Sequence, residues 1–263
     1  MSLIISVRVD DGVVMASDSR VTVTTNRQHE VHFSDTTYKT FCLGGRIGVS
    51  TCGDAHVQGR AVASWMQVFE KEVFDHNWSV LNTMQNLATF FAGLRIDSSI
   101  TFHVGGYEKV ADATMIPVTY HVVVRNDGSI TKSMQDTGPG ARWDGMIETI
   151  SRLIKGVLLV APDKMIKLDT LTRNIVDESG VKKTIKDSNV TVVPGNTTYY
   201  QESNIDFQYF TLQDAIDFAT YAIKTTIDTI KFKSESLTVG EPIDILVIEP
   251  SGARWIAHKE LHA

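Results

Sequence analysis

The sequence predicts an α+β fold in which antiparallel sheets carry helices on their outer faces. Apolar, β-branched runs lie at both ends and in the middle of the chain. Stretches of helical periodicity separate them, and tight-turn signals fold neighbouring strands back on one another. The order is strands, two helices, strands, two helices, strands. Such segregation favours two antiparallel sheets over alternating βαβ units.

Residues 3–9, LIISVRV, read as a buried strand. Asp10-Asp11-Gly12 is a turn signal, and VVMAS returns as the second arm of a hairpin. After the polar stretch TVTTNRQHEVHFSDTTYK come two short strands, TFCLGG and RIGVSTC, joined around Gly44-Gly45. The period then changes. Ala61, Trp65, Val68 and Phe69, and then Leu81, Met84, Leu87, Ala88 and Phe91, recur at helical spacing and predict helices over about 54–75 and 79–95. Their aromatic and methionine stripe reads as core packing. Strands return at SITFHVGGYE, where Gly105-Gly106 reads as a turn, and at VTYHVVVRNDGSITKSM, where Asn126-Asp127-Gly128 makes a hairpin. A third helix is expected over about 142–155, after Gly138-Pro139-Gly140. Residues 156–209 show weak alternation, as in NVTVVP, and read as an insertion with some strands in a single domain spanning 1–263. Thr211 and Asp214 form a capping box for the helix LQDAIDFATYAIKTTIDTIKF. IDILVIEP and ARWIAHKE close the chain as two strands around Ser251-Gly252.

Hydrophobic residues make up 43% of the 263 and charged residues 21%, values suited to a globular core. The net charge of −6 argues against nucleic acid and anionic membrane as partners. Two cysteines, Cys42 and Cys52, do not make a disulfide scaffold. With no signal-peptide pattern at the start, the expectation is a cytoplasmic protein, and the sequons at Asn77, Asn189 and Asn196 read as chance matches. The histidines show no metal-ligand spacing, and no phosphate-binding glycine loop is present, so neither a metal nor an organic cofactor is expected.

The N-terminus carries the chemistry. A serine hydroxyl needs an adjacent base to act as a nucleophile. A chain-terminal amine, with a pKa near 8, is such a base. Removal of Met1 would let Ser2 supply both groups; the plainer reading is an ordinary second residue. Asp18 follows the strand VVMAS and is either a site residue or a turn residue beside an ion-paired Arg20. Lys39 is a site lysine or an exposed one. A lysine near an aspartate and a nucleophile lowers the nucleophile's pKa and relays protons. Gly53 lies at a strand end where a helix is expected to begin, a place where backbone N–H groups hold an oxyanion. Cys52 reads as a small buried apolar residue.

GVVMASDSR, then a lysine, then GVSTCGDA resemble the proteasome β-subunit family of N-terminal nucleophile hydrolases, and also a simpler bacterial protease that works with an unfoldase ring. The separations are similar too: sixteen positions from Ser2 to Asp18 and fourteen from Lys39 to Gly53. SESLTVGEPIDILVI resembles the family's Asp-x-x-Ser-Gly segment. By that match Glu235 and Thr238 stand where an aspartate and a serine support the N-terminus. Pro139 falls where active members carry a serine that bonds the terminal amine. The nucleophile is Ser rather than the commoner Thr, and the similarity leaves out about 156–209.

The resemblance implies a four-layer α-β-β-α sandwich and a threonine-protease-like hydrolase of peptide or amide bonds. Its catalytic set is Ser2, Asp18, Lys39, Gly53, Glu235 and Thr238, and its expected partners are a peptide or amide substrate and further copies of itself. An unfoldase partner is not readable from the residues. The alternatives are a catalytically inactive proteasome-like scaffold subunit and a small-molecule amidohydrolase of the same superfamily.

Overall fold

The computed structural model describes residues 2–24, 31–110, 114–134, 138–155, 166–176, 182–192, 205–233 and 237–260. The chain forms two compact units, one of Met1–Ile147 with Asp206–Ala263 and one of Glu148–Ile205.

The larger unit opens with the predicted hairpin, β1 (Leu3–Val9) and β2 (Gly12–Ser17), paired from Ile4–Ser17 to Val9–Gly12. A small hairpin follows, β3 (Val21–Thr24) and β4 (Val31–Ser34), and then β5 (Thr40–Leu43) and β6 (Ile47–Gly53). Next come the two-residue arms β7 (His56–Val57) and β8 (Arg60–Ala61), and the helices α1 (Val62–Glu72) and α2 (Val80–Ala92). The central strands are β9 (Ser99–Lys109), β10 (Met115–Arg125), β11 (Ile130–Met134) and β12 (Gly140–Gly145). In the smaller unit, α3 (Glu148–Lys155) precedes a hairpin of β13 (Ile166–Val176) and β14 (Lys182–Val192). Back in the larger unit, a short 3-10 turn, Phe207–Tyr209, leads to α4 (Leu212–Ile230), and β15 (Asp244–Glu249) and β16 (Gly252–Ala257) close the fold.

Two five-stranded antiparallel sheets result, ordered β12-β1-β2-β15-β16 and β11-β10-β9-β6-β5. Strand alternation gives each sheet two apolar faces. Ile100, Phe102 and Val104 of β9 and Val118, Val122 and Val124 of β10 pack with Met66 and Phe69 of α1 and Met84, Leu87 and Phe91 of α2. The first sheet lies under α4, which touches β1 and β2 and buries Ala215, Ala219, Ile223 and Ile227. Between the sheets Val13, Met15, Leu246 and Ile248 meet Tyr107. These are the four α-β-β-α layers of the prediction. The capping box forms as expected: the Thr211 hydroxyl accepts from the Asp214 N–H, and the Asp214 carboxylate accepts from the Thr211 N–H.

Several elements differ from expectation. The helix predicted from residue 54 starts at Val62, because the β7–β8 hairpin turns through Gln58 and Gly59 at positive φ first. The helix predicted over 142–155 begins at Glu148; Gly140–Gly145 is instead a strand, drawn into a ladder with β1 from Arg8–Gly140 to Leu3–Gly145. Gly105-Gly106 is not a turn but the middle of β9. There a side chain on Gly105 would press on Val13 and Met15, and one on Gly106 on Val80, so the pair lets the layers approach. Leu81, assigned to the helical stripe, is exposed.

Candidate active site

The inter-sheet layer changes character along its length. Beyond Val13, Met15 and Leu246 it becomes polar. Ser2, Ser17, Asp18, Lys39, Thr40, Ser50 and Asp244 are all buried at that end. Thr40 Oγ1 donates to Ser17 Oγ at 2.8 Å and bonds Ser50 Oγ at 2.9 Å, which satisfies three hydroxyls across the two sheets.

Asp18 organises this end. Its side chain is fully buried and accepts four hydrogen bonds. Oδ1 takes the Leu3 N–H at 2.9 Å and Lys39 Nζ at 2.7 Å; Oδ2 takes the Arg20 N–H at 3.0 Å and the Gly240 N–H at 3.1 Å. A buried carboxylate needs such pairing, since desolvation is otherwise prohibitive. Sequence order alone offered Arg20 as the ion partner of Asp18. In the structure the Arg20 guanidinium instead makes a two-pronged pair with Asp35, Nε to Oδ1 and Nη2 to Oδ2, both at 2.6 Å, and that bond raises its pKa. The Arg20 backbone N–H serves Asp18.

Lys39 is buried, not exposed. Its ammonium also donates to the Arg20 carbonyl at 2.5 Å. Burial holds its pKa below the ordinary lysine value although Asp18 pulls it up, and the charge of Lys259 lowers it further. Lys259 belongs to a second buried pair beside the first. Asp244, the ladder partner of Ser17, accepts from the Lys259 N–H at 2.8 Å and from its ammonium.

Ser2 is 7% exposed and continues β1 into this cluster. Its carbonyl accepts the Met146 N–H at 2.8 Å. Gly145 makes that approach possible: it sits at φ +100°, and a Cβ there would lie 1.8 Å from the Ser2 oxygen. Pro139, aligned by resemblance with a residue at the terminal amine, is elsewhere. It precedes Gly140, the ladder partner of Arg8, and lines a cavity of about 240 Å³ with Arg8 and Met115. Arg8 lies six positions along the strand from Ser2, about 20 Å at the rise of a strand.

Gly53 ends β6. The Asp54 N–H bonds the Ser99 carbonyl at 3.0 Å, and antiparallel pairs alternate between bonded and non-bonded, so at the Gly53–Ile100 pair the Gly53 N–H turns away from β9. Thr51, of the same parity, donates to the Lys39 carbonyl at 2.8 Å, which marks that side as the Lys39 side. No helix follows Gly53 directly. The residue takes φ +105°, and a Cβ there would lie 2.3 Å from the Ser99 oxygen. Cys52 is buried as expected of an apolar residue, and burial pushes its thiol up to about 12.

Thr238 is buried two residues before Gly240, and its hydroxyl has no hydrogen-bond partner among the described residues. Glu235 lies outside the described residues. The structure thus gathers the Leu3 backbone, Asp18 and Lys39 into one bonded cluster next to Ser2, with Gly53 facing its lysine side. Gly145, Gly240, Asp244 and Lys259 were not foreseen. Their signal lies in ladder register and long-range contacts, which one sequence does not display. The structure also brings together His103, His121 and Asp144, at positions with no metal-ligand spacing in sequence.

No family model matches the chain, and no curated protein matches its sequence. Solved structures do. The chain is similar to a Gly-1 mutant of Anbu from Hyphomicrobium sp. strain MC1, with a TM-score of 0.56 and 14% identity over 100% of this chain and 88% of that one. It is similar to Anbu (ancestral beta-subunit) from Yersinia bercovieri, with a TM-score of 0.51 and 14% identity over 98% of this chain and 88% of that one. It is also similar to the Anbu complex from Pseudomonas aeruginosa, solved as a helical assembly, with a TM-score of 0.51 and 18% identity over 98% and 88%. At these identities the likeness is one of fold: the chain has a proteasome β-subunit-like fold. No helix among the described residues is long and apolar enough to cross a membrane.

Proposed function

We propose that the chain is a proteasome-like N-terminal nucleophile hydrolase of peptide or amide bonds, cytoplasmic, with Ser2 as the nucleophile once Met1 is removed. One observation carries the reading. A single oxygen of Asp18 receives both the Leu3 N–H and Lys39 Nζ, so the residue next to Ser2 and a buried lysine of depressed pKa share one acceptor. Such a lysine gives up its proton more readily than an ordinary exposed one.

The steps in this reading are as follows. The free α-amine of Ser2 takes the Oγ proton as Oγ attacks the substrate carbonyl, with Lys39 holding positive charge beside it. The Gly53 N–H stabilises the oxyanion of the tetrahedral intermediate. The C–N bond breaks, the amine returns its proton to the leaving nitrogen, and an acyl ester remains on Oγ. Water, deprotonated by the same amine, attacks the ester; the acid departs and Oγ regains its proton. Thr238 and Glu235 support the N-terminus in this reading. Homo-oligomers are part of it: the Anbu complex of similar fold was solved as an assembly, and α4 here exposes Tyr221 with Phe232 just beyond it.

The test is incubation with a peptide epoxyketone, which reacts with a hydroxyl and a free amine on one residue, followed by mapping of the adduct by mass spectrometry. An adduct on Ser2 of a chain lacking Met1, with hydrolysis abolished in Ser2→Ala, is expected. Hydrolysis that survives Ser2→Ala refutes the nucleophile. A chain that keeps Met1 and hydrolyses neither peptides nor small amides is a scaffold subunit.

A further inference from the structure

His103 on β9 and His121 on β10 are directly opposed ladder partners. Ladder partners share a face, and their parity is that of Gly105, which meets Val13 and Met15, so both rings enter the inter-sheet layer. From the other sheet Asp144 on β12 reaches in to meet them. Its Oδ2 lies 2.8 Å from His103 Nε2 and 3.5 Å from His121 Nε2, and the rings are 5.8 Å apart between centroids. One ligand atom from each residue falls within 4.8 Å of the other two.

One of the two ring nitrogens nearest Asp144, His121 Nε2, is buried without a hydrogen-bond partner among the described residues. Buried polar atoms are nearly always satisfied. Two imidazoles and one carboxylate on three strands of two sheets are also the donor set that imidazole-seeking divalent ions take, with positions left open for water. The strands fix the three donors rigidly, as a metal site requires. Asp144 remains 27% exposed at its side chain, which leaves a path inward. Arg142 Nε donates to Asp144 Oδ2 at 3.3 Å, and its side chain is 39% exposed, so solvent can take over that bond when an ion binds.

We propose that His103 Nε2, His121 Nε2 and the Asp144 carboxylate bind a divalent first-row transition-metal ion, of the zinc or iron(II) class, between the two sheets. The site is independent of the hydrolase reading. Its structural consequence reaches Ser2 all the same, because Asp144 immediately precedes the glycine packed against the Ser2 carbonyl. A bound ion therefore pins β12 at the place where β12 seats the N-terminal strand.

The full-length protein, freed of metal with a chelator, is titrated with Co²⁺ while its visible absorption is followed, then with Zn²⁺ as competitor, and metal per chain is measured by mass spectrometry. One equivalent of Co²⁺ with a visible band displaced by Zn²⁺ is expected, with a higher Tm for the loaded protein. His121→Gln and Asp144→Asn each lower the affinity by at least about 100-fold, more than the loss of an outer partner. No uptake by the wild-type chain overturns the site, as does uptake that survives both substitutions. Should these variants not fold, Arg142→Gln decides. Removing the competing guanidinium tightens Co²⁺ binding severalfold if the ion sits at Asp144, and unchanged affinity places the ion elsewhere.

Discussion

Asp18→Asn strikes the cluster at its centre. The carboxylate accepts four hydrogen bonds, two on each oxygen, in a fully buried position. Asparagine keeps one oxygen. Whichever way its amide turns, the NH₂ faces two donors, and Lys39 loses its counter-charge. Breaking a buried pair from one side costs about 3–5 kcal/mol. For a urea m-value of about 3 kcal/mol/M, the unfolding midpoint falls by about 1–1.7 M at pH 7. Asp18→Asn/Lys39→Met removes both charges and is expected to recover about 2 kcal/mol of the summed single effects. The pH dependence has a definite sign. The folded-state pKa of Lys39 lies below its unfolded value, so the unfolded chain binds more protons between the two. The contribution of this group therefore rises with pH through that window and is lost as pH falls through the folded pKa. Lys39→Met flattens that alkaline rise. Tryptophan fluorescence across urea, at one protein concentration and several pH values, reads all of this. A midpoint change below about 0.3 M for Asp18→Asn, or single effects that add within about 0.5 kcal/mol, would refute the buried pair.

Gly145→Ala forces a Cβ against the Ser2 carbonyl and is expected to cost about 2–5 kcal/mol and to abolish hydrolysis, whereas Gly59→Ala, with open space around it, costs about 1 kcal/mol; urea unfolding of the two variants makes the comparison. Thr211→Ala removes the hydroxyl that caps α4 and lowers stability by about 1 kcal/mol, a Tm drop of about 2–4 °C by calorimetry. In the native protein iodoacetamide at pH 8 labels the half-buried Cys42 before Cys52, whose thiol is pushed up to about 12 by burial. In urea both label alike, and equal native rates by mass spectrometry would contradict the burial.

Much of the fold is legible because local chemistry announces it. Asp10-Asp11-Gly12 and Asn126-Asp127-Gly128 turn where they must, and Thr211 with Asp214 starts α4 at the residue predicted. Gly140–Gly145 was misread because its strand state comes from pairing with β1, a partner more than a hundred residues away. Gly105-Gly106 was misread because a glycine pair signals a turn equally well when its real role is room for Met15 and Val80. At the site, the spacing of Ser2, Asp18, Lys39 and Gly53 was readable. The Gly240 N–H on Asp18 was not, nor were His103, His121 and Asp144, which come together only through strand register and sheet stacking.

The cluster around Asp18 also sets an order in time. Its donors come from residues 3, 20, 39 and 240, and the Gly240 bond spans 222 positions of chain. Contacts of such separation are slow to close, because the intervening loop entropy must be overcome first. A growing chain emerging from a ribosome holds Ser2, Asp18 and Lys39 early but lacks the segment that completes the carboxylate's shell until Gly240 has been made. The shell of Asp18 therefore closes late, and a chain stopped short of Gly240 leaves Oδ2 with one donor fewer.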